Sequence, residues 1–162
     1  MAGSYGDSNR KGKIFEDPTS KGDYVLLLET GAAVVADPVE VVEPIEVSRF
    51  GLLCIEDTYQ TAGVDLVVAL NKRITNGSDV DDVRLATVTV PHVHTTLTGP
   101  QPGDIFFIDF DAVKIDPGEQ LTLEVITAYG GSGPVGSFKA FYCWDYSPEV
   151  AANYSNMTKV TA

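Results

Sequence analysis

From residue 24 onward this chain is a succession of strand-length apolar runs, and no window of twelve residues carries a capped 3.6-residue period. That pattern constrains the fold more than any other feature. Short apolar runs occupy residues 24–29, 32–36, 49–56 and 64–70. Residues 84–90 alternate, with Leu85, Thr87 and Thr89 on one face and Ala86, Val88 and Val90 on the other. Residues 104–111 place Phe106, Ile108 and Phe110 opposite Ile105 and Phe107, and residues 120–129 place Leu121, Leu123, Val125 and Tyr129 opposite Gln120, Thr122 and Glu124. Residues 137–146 align Phe138, Ala140, Tyr142, Trp144 and Tyr146. Between the runs stand Asp37-Pro38, Asn76-Gly77, Gly99-Pro100, Asp116-Pro117-Gly118 and Gly130-Gly131, all turn or loop chemistry. The expected fold is all-β, an antiparallel β-sandwich of jelly-roll type. An immunoglobulin-like sandwich is disfavoured because Trp144 follows both cysteines, Cys54 and Cys143.

Charge divides the chain. Residues 1–22 carry four basic and three acidic side chains, a net +1, whereas residues 23–162 carry seven basic and twenty acidic ones, a net −13. The sign changes where the apolar pattern begins, which predicts an extended N-terminal arm over 1–22, a β-domain over 23–146 and a polar C-terminal tail over 147–162. The net −12 of the 162 residues argues against direct nucleic-acid binding, and no uninterrupted apolar stretch approaches the ~18 residues of a membrane span. With no apolar stretch behind Met1, synthesis in a cytoplasm is expected. The two cysteines sit in apolar runs and read as buried free thiols.

The residues that carry chemistry elsewhere are sparse. His92 and His94 share a strand face, but the chain has no third histidine and no acid follows the pair, so a metal site is not expected. Asn76, Ser78, Asp79, Asp81 and Asp82 form an oxygen-rich loop that departs from the EF-hand pattern and reads as a hairpin turn opened by Asn-Gly. Asp104, Asp109, Asp111 and Asp116 read as solvated acids. No nucleophile elbow and no phosphate loop is present, and catalysis and cofactors are not expected. Tyr142, Trp144 and Tyr146 read as one core-facing set, or as a sugar-stacking platform where they reach solvent.

Residues 80–162 resemble a known family. The run from Asp116-Pro117-Gly118-Glu119 to Val125, a Gly-rich loop, Gly136-Ser137-Phe138-Lys139-Ala140-Phe141 and then Ser147-Pro148-Glu149 is similar to the small β-sandwich decoration (cement) proteins of tailed-bacteriophage capsids. The resemblance implies a structural virion protein that binds the major capsid protein at lattice axes, self-associates as a homotrimer, and has no catalytic role. It places the chain on the virion surface after synthesis in the host cytoplasm. The arm is then the expected attachment, through Tyr5, Arg10, Lys11, Lys13, Ile14 and Phe15, and it is expected to contribute little to folding its own domain. The alternative is a carbohydrate- or receptor-binding sandwich of a virion fibre or an enzyme.

Overall fold

A computed structural model of the protein describes residues 10–15, 38–55, 64–91, 100–127 and 138–150. They form eight strands: β1 (Lys11–Ile14), β2 (Val39–Glu40), β3 (Ile45–Cys54), β4 (Leu66–Asn76), β5 (Asp79–Val90), β6 (Ile105–Ile115), β7 (Gln120–Thr127) and β8 (Phe138–Tyr146). One sheet has the order β1-β8-β3-β6 and the other β2-β7-β4-β5, with every paired neighbour antiparallel. Four of these pairs are nested, β4 with β5 inside β3 with β6, inside β2 with β7, inside β1 with β8. A long antiparallel hairpin rolled over itself in this way is the jelly roll. The expected runs at 24–29 and 32–36 lie outside the described residues.

Alternation sets the core. Val47, Phe50 and Leu52 of β3, Val68 and Leu70 of β4, Val90 of β5, Leu121 of β7, and Phe138 and Ala140 of β8 are fully buried between the sheets. Each comes from the inward face of its strand, which is how a sandwich covers its apolar surface. Gly77-Ser78 closes the β4–β5 hairpin beyond the Asn76↔Asp79 pair, and Gly77 takes the left-handed φ of +65° that the turn needs. Bulges interrupt the registers of β3 at Val47/Arg49 and of β4 at Leu70/Asn71, where the strand faces are re-phased.

The N-terminal segment departs from expectation. Lys11–Ile14 pairs with β8 in the register Lys11↔Trp144 to Ile14↔Phe141, and the Phe15 amide donates to the Ala140 carbonyl at 3.0 Å. Phe15 is fully buried, its ring 5.5 Å from that of Tyr142. This part of the arm is therefore the edge strand of the domain's own sheet. The sequence Lys-Gly-Lys-Ile hid it because an edge strand needs little apolar patterning, and all four residues stay exposed although the Lys11 ammonium stands over two aromatic rings. The segment after β8 is likewise anchored at its start. Ser147 is buried, its amide donates to the Pro44 carbonyl at 3.0 Å, and Glu149 forms an ion pair with Lys114.

Candidate functional site

A sandwich strand normally turns polar side chains to solvent. The outer face of the β1-β8-β3-β6 sheet does not. Ile14, Phe141, Gly51 and Phe107 are successive register partners, so they form one row across all four strands. Ile14 is 43% and Phe107 52% exposed, and Phe141 is half-buried. The next row, Lys139, Leu53 and Ile105, adds a half-buried leucine and an isoleucine that is 54% exposed. Five apolar side chains thus meet on the face that water would otherwise cover.

Gly51 makes the row continuous. A Cβ placed there would stand 2.5 Å from Phe141 Cζ and 2.8 Å from Phe107 Cβ, so the missing side chain lets the two rings close over β3. The opposite flank is charged. Gly12, Cys143, Arg49 and Asp109 form the row on the other side of the apolar one. Arg49 grips Asp109 with two hydrogen bonds of 2.6 and 2.9 Å, and its guanidinium lies 4.5 Å from the Phe107 ring centroid. Arg10 approaches the same carboxylate at 3.6 Å. The Arg49 hydrogen bonds, aided by the charges of Arg49 and Arg10, hold the Asp109 carboxyl below the ordinary carboxylate range. Two cations flank this acid, and the next row brings Glu46, Asp145 and Lys114 together, so this flank carries both signs of charge.

Strands of four, nine, ten and eleven residues, at ~3.3 Å per residue and ~4.8 Å apart, make a whole face of roughly 500 Å². Ordinary protein interfaces take about 800 Å² from each partner. The outer face of the second sheet is different in kind. It carries Thr87 and Thr89, and Glu124 accepts hydrogen bonds from Asn71 at 2.9 Å and from Arg84 at 3.2 Å. Asn71 Oδ1 and Thr122 Oγ1 are buried there as neighbours in register.

A groove of about 290 Å³ opens at the other margin, between β1–β8 and the segment around β2. Trp144 and Tyr146 meet edge to face with centroids 5.1 Å apart, and the Lys11 ammonium stands 5.2 and 4.9 Å from the two rings. Lys13, Glu40 and Glu43 bring charge to a lining that is otherwise mostly apolar. Tyr142 lies beneath them, 2% exposed, and burial pushes its phenol well above the ordinary range.

The residues expected to bind a partner are therefore separated by the fold. Arg10 and Ile14 belong to the outer face, Lys11 and Lys13 to the groove, and Phe15 to the core. Tyr5, His92 and His94 lie outside the described residues. Asp82 is held by Arg73 in two 2.9 Å hydrogen bonds, and Asp104 accepts from the Gln101 amide at 2.9 Å, so these acids serve loop and hairpin geometry. Cys54 and Cys143 are free thiols, one in the core and one on the outer face. Among the described residues no three of His, Cys, Asp and Glu gather as a metal site. The apolar row escaped sequence reading because both faces of β6 are apolar, and alternation alone does not say which one faces the core. Comparison of the chain with protein-family models, curated proteins and solved structures returns no match.

Proposed function

We propose that the chain is a structural attachment protein that coats an ordered protein surface, in the manner of phage capsid decoration proteins. Its partner would be a major capsid protein and its place the virion surface, with a homotrimer as the working assembly. The observation that supports this reading is the Ile14–Phe141–Gly51–Phe107 row with its neighbours Leu53 and Ile105. An exposed apolar row of this kind, flanked by paired charges, suits docking onto another protein better than solvation. Burying the exposed halves of Phe107 and Ile105 adds roughly 1 kcal/mol each. Jelly rolls serve capsid and lectin domains alike, so the fold itself does not choose between readings.

The test is density-gradient copurification with intact capsids. The wild-type chain is expected at stoichiometric copy number, and Phe107→Asp with Ile105→Ser is expected to lose binding at least tenfold with an unchanged melting temperature. Full occupancy by the double variant removes the role of this face, and absence of the wild-type chain from particles removes the reading. A second reading, carbohydrate binding, is favoured by the Trp144–Tyr146 corner of the groove. It requires sugar-dependent quenching of Trp144, the single tryptophan, which Lys11→Ala would enhance by uncovering the rings.

A further inference from the structure

The two sheets end in four edge strands, β1 and β6 in one and β2 and β5 in the other. Natural sheets blunt such edges with charge, irregularity or brevity. β1 carries Lys11, Gly12 and Lys13, β2 is two residues long, and β5 carries Asp79, Asp81, Asp82 and Arg84. β6 opens instead with Ile105-Phe106-Phe107-Ile108, uncharged and without glycine or proline. The backbone there has a free side. The Cys54 amide donates to the Asp104 carbonyl at 2.8 Å, and in the same register Leu52 and Phe50 stand opposite Phe106 and Ile108. Antiparallel alternation then aims the N–H and C=O of Phe106 and Ile108 at β3, and those of Ile105, Phe107 and Asp109 away from it. The 2.8 Å from a Cβ at Gly51 to Phe107 Cβ fits the closely spaced, non-hydrogen-bonded pair that this alternation requires. Among the described residues no strand pairs with the outward side of β6.

This free edge borders a groove of about 390 Å³ between Thr87, Val88 and Thr89 of β5 and Ile105 to Ile108 of β6. A strand added along it meets apolar side chains on both faces, Ile105 and Phe107 on one, Phe106 and Ile108 on the other. Charge narrows the occupant. Arg49 and Arg10 take up Asp109, and Asp116 and Glu149 take up Lys114, which leaves Asp104 and Asp111 at the two ends of the uncharged stretch. A second copy brings a further net −12 to this acidic edge, so like charge opposes self-pairing, whereas a basic segment is attracted. We infer that β6 accepts an extended segment of the coated protein as a fifth strand, apolar at alternate positions and with Lys or Arg at its ends. Main-chain hydrogen bonds to Ile105, Phe107 and Asp109 hold the segment, and the groove selects its side chains. The inference rests on the attachment reading and deepens it, by naming the form of the partner's segment and the edge that receives it.

The probes are two short synthetic peptides of alternating valine and threonine, one ending in lysines and the other in glutamates. Amide exchange of the isotope-labelled full chain is followed residue by residue by NMR. The lysine peptide is expected to slow exchange at Ile105, Phe107 and Asp109 about tenfold, and the glutamate peptide to leave it unchanged. Ile105→Pro deletes one outward N–H and spares the ladder with β3, whereas Ile105→Ala removes the same side chain and keeps the N–H. The proline chain should lose the protection at Phe107 and Asp109 and the alanine chain should keep it, at matching melting temperatures. Equal protection by both peptides, none by either, or proline and alanine chains that respond alike each overturn the inference. So does protection of these amides that rises with protein concentration alone, because a second copy then fills the edge. Copurification of the wild-type chain with capsids is measured apart. Its failure removes the attachment reading, whereas failure of the peptides alone removes only the strand addition.

Discussion

Replacing Phe15 by alanine measures how far the N-terminal strand is part of the fold. The ring is fully buried against Tyr142 at one margin of the core. Phe→Ala in a core costs ~3–5 kcal/mol, and a marginal site that relaxes or admits water falls near ~3 kcal/mol. The rest of β1 does not compensate. Four edge residues gain at most ~1 kcal/mol net per backbone hydrogen bond, against ~1–2 kcal/mol of backbone entropy each, so β1 frays once the ring is gone. For a chain of this size 1 kcal/mol moves the melting temperature by roughly 2–4 °C, which gives a fall of about 6–12 °C. Differential scanning calorimetry of dilute protein measures it, with amide hydrogen exchange along β8 as a local readout. Ile14→Ala is the control. It lies one residue earlier on the outer face, is 43% exposed, and should cost under about 1 kcal/mol. A Phe15→Ala melting temperature within about 2 °C of wild type would refute the reasoning.

Other expectations follow from the same geometry. Gly51→Ala forces Phe141 and Phe107 apart and should destabilise by about 1–3 kcal/mol in urea titration, more than alanine at exposed Gly12. Asp109 has a folded pKa below the 3.8 of a free aspartate, so its ion pairs contribute fully above that value and fade as pH falls through the folded pKa. The group is half exposed and the contribution at most ~1 kcal/mol; Arg49→Met should return the Asp109 titration, followed by carboxyl NMR, towards 3.8. Burial raises the Cys143 thiol pKa, so its alkylation at pH 7 should be slower than that of a free thiol, and Cys54 should react only on unfolding.

Sequence reading reaches the layers of this fold because strand alternation and burial are one phenomenon. Ala86, Val88 and Val90 share a face in the sequence pattern and are buried together, as are Phe138, Ala140 and Tyr142. What it misses are the places where pairing decides the outcome instead of composition. Lys11–Ile14 is a strand because β8 offers an edge, and its own residues do not announce it. Ile105, Phe107 and Ile108 look like core in sequence, yet β6 closes the sheet on one side and leaves them 41–54% exposed. Gly51 lies inside the apolar run 49–56, and only the register shows two phenyl groups closing over it. Trp144 and Tyr146 continue the alternation of a buried strand but stay only partly buried against the core, with the Lys11 ammonium over both rings.

The nesting of the strands also imposes an order of events on the ribosome. The first strand is made first but pairs with the last, Lys11 with Trp144, so its partner is synthesised 133 residues later. At ~5–20 residues per second that is an interval of roughly 7–27 s. The innermost pair, β4 with β5, closes across a two-residue turn and can form as soon as it emerges. Throughout the interval the nascent chain carries Phe15 and three positive charges with no completed β8 to receive them.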